Sequence, residues 1–224
     1  MKIVTVLFDR PGAFDYARLC RAFEASVADA MPKTKLVNVS PGAIPSFENQ
    51  REVWANNLAK MRAWQEVDFG EPTLLLDCDL ILQHSLAPLF ELGADIVLTT
   101  GGASPFNAGV IALAAGIGRF VKQWLEIAEE MYVNEGMRAP YVRKYRGISQ
   151  AALGWMLDRH RNDYQVAAVP ARHWNARSGD WEHVTRETRA VHYKSELRKM
   201  VLGKMGHDGA YHEAIKLWER YDRP

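Results

Sequence analysis

Cysteine is nearly missing from this chain of 224 residues: only two are present, Cys20 and Cys78. They lie far apart and supply no disulfide framework, so the fold has to rest on an apolar core and a reducing compartment is expected. Charge of one sign is equally scarce. Lys+Arg number 28 and Asp+Glu 27, a net charge of +1. A chain this balanced lacks the strong positive field needed by proteins whose main partner is bulk nucleic acid or an anionic membrane. Long hydrophobic runs are absent too. The longest, Ala108 to Gly118, is too short to span a bilayer, and the apolar segment Ile3–Phe8 is too brief for a secretion signal. No repeat or low-complexity stretch interrupts the chain. The expectation is a cytoplasmic protein without integral membrane association, and the 48% hydrophobic content is enough for a substantial core.

What is present is an alternation of short apolar runs and longer amphipathic stretches. Lys2–Phe8, Lys35–Val39, Thr73–Leu76, Asp95–Thr100, Asn107–Leu113 and Tyr164–Val169 read as strands. Ala13–Met31, Arg51–Glu66 with Asn49 as cap, Arg119–Asn134, Ser149–His160 and Tyr211–Tyr221 read as helices. Met137–Gly147 contains Pro140 and reads as a loop, in which Arg138, Arg143, Lys144 and Arg146 alternate with Tyr141 and Tyr145. Such alternation predicts an α/β fold with a mostly parallel central sheet flanked by helices. Ligands of such sheets bind at the carboxyl ends of the strands.

Asp77-Cys78-Asp79 stands at one of those ends, directly after Leu74-Leu75-Leu76. Two carboxylates at i and i+2 of an extended chain project to one side, where desolvation and mutual repulsion penalise both unless a cation relieves them. Mg²⁺ or Mn²⁺ suits the role, completing its shell with water and substrate phosphates. Two enzyme classes place an Asp-x-Asp after an apolar strand. In haloacid-dehalogenase-like phosphatases Asp77 would be the nucleophile, but those enzymes use their first strand, and no later acidic pair completes the site here. In nucleotide-sugar glycosyltransferases the pair holds the metal on the donor diphosphate. A non-catalytic nucleotide-sugar or carbohydrate-binding module is the third reading.

Four blocks favour the second of them. Leu58–Trp64 with Lys60, Leu74–Asp79 followed by Leu80-Ile81-Leu82, Ser85–Phe90, and Phe106-Asn107-Ala108-Gly109-Val110 occur in an order and spacing that resembles the glycogenin-like and lipopolysaccharide-type retaining glycosyltransferases, family eight in the usual classification. Weaker similarity covers most of residues 1–195. The resemblance implies a GT-A fold over 1–195, with 196–224 as a basic, helical C-terminal extension packed on the same domain. It implies transfer of a sugar from a nucleoside-diphosphate donor, UDP-sugar by family likeness, to an acceptor hydroxyl on a glycan, a lipid-linked sugar, a protein or a modified nucleic-acid base. Asp77, Asp79 and the late His192 would hold Mn²⁺ or Mg²⁺. Thr5, Leu7, Phe8, Asp9 and Tyr16 would meet the nucleoside, together with Cys78. Lys60 would lie near the donor. Asn107 and Gln150 would act on the reacting sugar, and Trp174 and Asn175 would line the acceptor side.

The sequence departs from the family in two places. Where a Gly and a Lys-Pro-Trp commonly follow the His, the chain reads Lys194-Ser195-Glu196-Leu197-Arg198-Lys199, which leaves Lys194, Arg198 and Lys199 as alternative partners of the diphosphate. The family's Asp-Gln pair appears as Ser149-Gln150.

Overall fold

The structure is a computed structural model. It describes residues 1–7, 15–40, 49–101, 104–160, 162–206, 209 and 211–222. The elements run β1 (Lys2–Val6), α1 (Tyr16–Ala30), β2 (Lys35–Val39), α2 (Gln50–Gln65), β3 (Thr73–Asp77), β4 (Leu80–Leu82), β5 (Ile96–Gly101), β6 (Ser104–Leu113), α3 (Gly118–Val133), α4 (Glu135–Tyr145), α5 (Ile148–Arg159), β7 (Val166–Pro170), α6 (Ala171–Trp174), β8 (Ala190–His192), α7 (Ser195–Val201) and α8 (His212–Tyr221). Short 3-10 turns occupy Ala87–Leu92 and Trp181–His183. Among the described residues no helix is long and apolar enough to cross a membrane.

Six strands form one sheet in the order β2-β1-β3-β6-β5-β7. β1 pairs parallel with β2 and β3, and β5 parallel with β7, whereas β6 is antiparallel to both its neighbours. Five strands therefore point one way and β6 alone is reversed. Alternation along the central strands explains why both faces are covered. Val4, Leu75, Leu98 and Ile111 face the layer of α2, α3, α4 and α5, while Ile3, Leu74, Leu76, Val97 and Val110 face α1 and β4.

Residues 137–147 are a correction to the sequence reading. They are largely helical despite Pro140, which cannot donate to the carbonyl four residues back. Tertiary contacts outweigh that cost. The Asn134 side chain caps Met137 N at 3.0 Å, the Arg138 guanidinium lies 4.6 Å over Trp54 and donates to the Met131 and Tyr132 carbonyls, and Tyr145 packs on Phe106. Smaller differences fall at element ends. β1 stops at Val6 rather than Phe8, and β6 begins at Ser104 rather than Asn107.

The last helices pack against α1. Leu19 and Ala22 share a cluster with Leu197, Ile215 and Trp218. Arg18 forms a two-pronged ion pair with Asp222, whose other bond comes from Trp218 Nε1 at 2.9 Å. The Arg18 hydrogen bond outweighs burial and holds the Asp222 carboxyl below its ordinary value. A carboxyl lowered in the folded state stabilises above its unfolded value, near pH 4, and that contribution fades as the pH falls through the folded value. Asp222→Asn is accordingly expected to cost about 1 kcal/mol at pH 7. Denaturant unfolding of both proteins from pH 7 to 2.5 should show the gap closing below about pH 4.

Candidate active site

Reversal of β6 builds the site. β1 and β3 run out at the same edge of the sheet, and because β6 enters antiparallel, its first residues reach that edge too; Leu76 pairs with Val110, which sets Asp77 beside Gly109. Between Leu98 and Thr99 the β5 register jumps: Leu98 faces Ile111, and Thr99 faces Asn107. Ala108–Val110 are thereby freed from β5, and side chains satisfy the released amides. Ala108 N donates to Gln150 Oε1 at 3.3 Å, and Gly109 N to Asn107 Oδ1 at 2.8 Å.

His192 arrives from 113 residues away through a second, two-stranded sheet. β4 turns back immediately after Asp79 and pairs antiparallel with β8, which puts Leu80 opposite His192. The imidazole Nε2 lies 3.0 Å from Asp79 Oδ1 and 3.5 Å from Asp77 Oδ2. Two carboxylate oxygens and one ring nitrogen thus fall within 4.8 Å of one another. Such a donor set fits a hard or borderline divalent ion.

The ring is oriented from behind by Asn175, which is fully buried. Asn175 Oδ1 lies 3.2 Å from His192 Nδ1, while its Nδ2 donates to Thr99 Oγ1 at 3.0 Å and to Asn107 Oδ1 at 2.9 Å. Asn107 Nδ2 in turn donates to Gln150 Oε1 at 3.2 Å. One polar chain therefore connects His192 to Gln150, and each of these side chains has its orientation set by its neighbours.

Cations offset the carboxylates. Lys60 pairs with Asp77, and Arg198 with Asp79. Burial by itself would push the Asp79 carboxyl up, but His192 and Arg198 beside it prevail and hold it well below the carboxylate range. Burial raises the Cys78 thiol, and the Asp79 charge adds to that, so it stays protonated at neutral pH. Lys194 lies on the same wall, with its pKa lowered by burial and by Arg177.

These groups line a cavity of about 450 Å³. Of the residues singled out from sequence, Tyr16, Lys60, Asp77, Cys78, Asp79, Asn107, Gln150, His192, Lys194 and Arg198 border it. The others are placed differently. Thr5 is fully buried, with its hydroxyl donating to Leu76 O at 2.8 Å, and its neighbour Val6 faces the cavity instead. Leu7 and Lys199 are not among the lining residues, and Lys199 is exposed. Trp174 packs with the apolar residues under β5 and carries Arg189 over its ring at 4.6 Å. Asn175 stands behind the cavity wall rather than on it. Phe8 and Asp9 lie outside the described residues. The sequence reading gave no role to Asn57, which also lines the cavity and accepts from the Ser149 hydroxyl at 3.2 Å. Ser149 stands in the Ser149-Gln150 pair already noted, whereas nothing local announces Asn57.

Comparison with solved structures decides the architecture. A glycosyltransferase involved in the glycosylation of the major capsid of PBCV-1 matches 89% of this chain and 97% of its own, with a TM-score of 0.60 and 13% identity. GlyE, a glycosyltransferase of Streptococcus pneumoniae TIGR4, matches the whole chain with a TM-score of 0.63 and 16% identity; the chain spans 61% of GlyE. The galactosyltransferase LgtC, solved with donor and acceptor sugar analogues, matches 100% of this chain and 97% of its own, with a TM-score of 0.61 and 15% identity. The fold is that of the GT-A glycosyltransferases. No family model matches the sequence, and no curated protein does. At 13% to 16% identity the likeness establishes the fold, and the chemistry rests on the site itself.

Proposed function

We propose that the protein transfers a sugar from a nucleoside diphosphate, UDP by family likeness, to an acceptor hydroxyl, with Mn²⁺ or Mg²⁺ held by Asp77, Asp79 and His192. The observation that carries this reading is the meeting of those three side chains in one cavity whose wall also presents Lys194 and Arg198. Carboxylates and an imidazole take the cation, and the flanking ammonium and guanidinium groups take phosphate oxygens. When bound, the ion supplies Lewis-acid stabilisation of the charge that develops on the departing diphosphate.

The chain's own residues do the remaining work. Val6 and Tyr16 give the nucleoside an apolar face and an aromatic ring at the end of β1. Asn107 and Gln150, fixed by their mutual bond, orient the sugar. Among the described residues only Asp77 and Asp79 bring a carboxylate to the cavity, and both are engaged by cations. Ser149, where the family has an acid, donates its hydroxyl to Asn57. No carboxylate is left over as a nucleophile, which supports attack by the acceptor on the face the diphosphate leaves, with a phosphate oxygen taking the hydroxyl proton and the anomeric configuration retained. Cys20 and Cys78, both free and buried, suit work in the cytoplasm.

Thermal denaturation with UDP, GDP and their sugars tests this. In Mn²⁺ the true donor class should raise the melting temperature by roughly 5 °C at a hundredfold excess over its Kd, and EDTA should abolish the rise. No nucleotide response in Mn²⁺, or phosphate release from a phosphoester with a trapped aspartyl-phosphate on Asp77, would refute the proposal.

A further inference from the structure

Each carboxylate of the acidic pair turns one oxygen inward and one outward. The inner oxygens, Asp77 Oδ2 and Asp79 Oδ1, lie 3.5 and 3.0 Å from His192 Nε2. The outer oxygens are taken by cations of the chain itself, Asp77 Oδ1 by Lys60 and Asp79 Oδ2 by Arg198. Two negative and two positive side chains therefore balance one another. The Arg198–Asp79 pair is the deeper, its side chains 14% and 9% exposed. Charges withdrawn from water to this extent depend on their partners, because a lone one is costly to desolvate.

Arg198 is held beside Asp79 by the way the chain leaves β8. Ser195 adopts φ 51°, in the left-handed region, and α7 starts there. One turn later Arg198 faces back onto the strand. Its Nε donates to Tyr193 O at 3.1 Å, its Nη1 to Tyr16 Oη at 2.8 Å, and its Nη2 to Asp79. Tyr193 N donates in turn to Asp79 O at 2.7 Å, so Asp79, Tyr193 and Arg198 close into one ring of bonds. The guanidinium thus links a metal-binding carboxylate to the aromatic ring on the nucleoside side. In this balanced set the Arg198 charge opposes a divalent ion that comes alone, at close range and with little water between them. It attracts the same ion's diphosphate partner, and its planar fork suits phosphate oxygens.

We infer that Arg198 is the built-in counter-ion of Asp79 and makes metal binding conditional on the nucleotide. Its charge weakens the hold on the ion alone and strengthens the hold on ion and diphosphate together. This rests on the donor reading above and adds a coupling between the two ligands, which by linkage is the same factor in either order of addition. Toward the metal, Arg198 acts through Asp79 as a positioning residue.

Calorimetric titration and thermal denaturation of the intact protein test this, with Mn²⁺ alone and then with UDP at saturating Mn²⁺, on wild type, Arg198→Gln and Arg198→Lys. Mn²⁺ alone is expected to bind Arg198→Gln about tenfold more tightly than wild type, and UDP in Mn²⁺ to bind it about tenfold more weakly. Arg198→Lys keeps the charge without the fork and should follow wild type on Mn²⁺. Arg198→Gln leaves a buried carboxylate short of its partner and should melt lower, and Mn²⁺ by itself should recover that loss by replacing the missing charge. Mn²⁺ affinity of Arg198→Gln equal to or below wild type overturns the inference and leaves Arg198 a phosphate ligand or a structural clamp. An Arg198→Gln protein that stays unfolded in Mn²⁺, or a gain of Mn²⁺ affinity in Arg198→Lys, overturns it as well. If wild type fails to bind UDP in Mn²⁺, the donor reading falls instead, and the comparison with Mn²⁺ alone still decides whether Arg198 is the counter-ion.

Discussion

Asp77→Asn is expected to lower sugar transfer by about 10³-fold or more and to abolish the Mn²⁺ dependence of UDP binding. The substitution keeps the shape and an acceptor oxygen for Lys60 while deleting the charge that a divalent ion needs. Asp77 is the partly exposed member of the trio, its side chain 26% accessible, so stability should change by no more than about 1 kcal/mol. The same change at Asp79 is a poorer experiment. Its side chain is 9% accessible and faces Arg198, so Asp79→Asn strands a buried guanidinium, at a cost of about 3–5 kcal/mol, and mixes folding with function. Steady-state kinetics and Mn²⁺ titration of Asp77→Asn decide the matter. Transfer at near wild-type rate would remove the carboxylate pair from the mechanism.

Gly109→Ala is the second large effect, and it comes from one methyl group. A Cβ at this position would stand 2.5 Å from His192 Cε1, 2.7 Å from Asn107 Oδ1 and 2.8 Å from His192 Nδ1. None of those atoms has room to withdraw. His192 is 3% exposed and held by Asp79 on one side and Asn175 on the other, and the Asn107 oxygen already accepts from Gly109 N and Asn175 Nδ2. Overpacking of this kind costs about 1–3 kcal/mol. The imidazole has to swing away from the two carboxylates, and a displacement near 1 Å in a catalytic group costs about 100-fold in rate. Gly136→Ala is the control. Its added Cβ meets only Asn134 Oδ1 at 3.5 Å inside a helix, so it should be neutral or stabilising by up to about 1 kcal/mol. Melting temperatures and Mn²⁺-dependent UDP binding of the pair separate the two cases. A Gly109→Ala protein with wild-type stability and metal response would mean that His192 is not held where the structure puts it.

Both experiments test positions that the sequence reached by different routes. Asp77 was legible because Leu74–Leu76 reads as a buried strand and two acids at its end demand a cation. Gly109 was legible only as part of a resemblance, since nothing local explains why a glycine is needed there. Its reason is His192, 83 residues later. Residues 137–147 show the opposite failure. Pro140 is a sound local argument against a helix, and it loses to Trp54, Phe106 and two carbonyls that the local sequence cannot see. The resemblance puts Asn175 on the acceptor side, whereas its amide spends itself on Thr99, Asn107 and His192 and orients the His192 ring.

By itself the sequence determined the alternation of strands and helices, the burial of the sheet on both faces, and the acidic pair at a strand end, because each is written in neighbours a few residues apart. Only the tertiary structure decided that β6 runs backwards, since inward and outward residues alternate identically in either direction along a strand. It alone decided that Asn175, Asn107 and Gln150 join in one chain behind His192, because such contacts depend on pairing between segments tens of residues apart and leave no periodic trace in the chain.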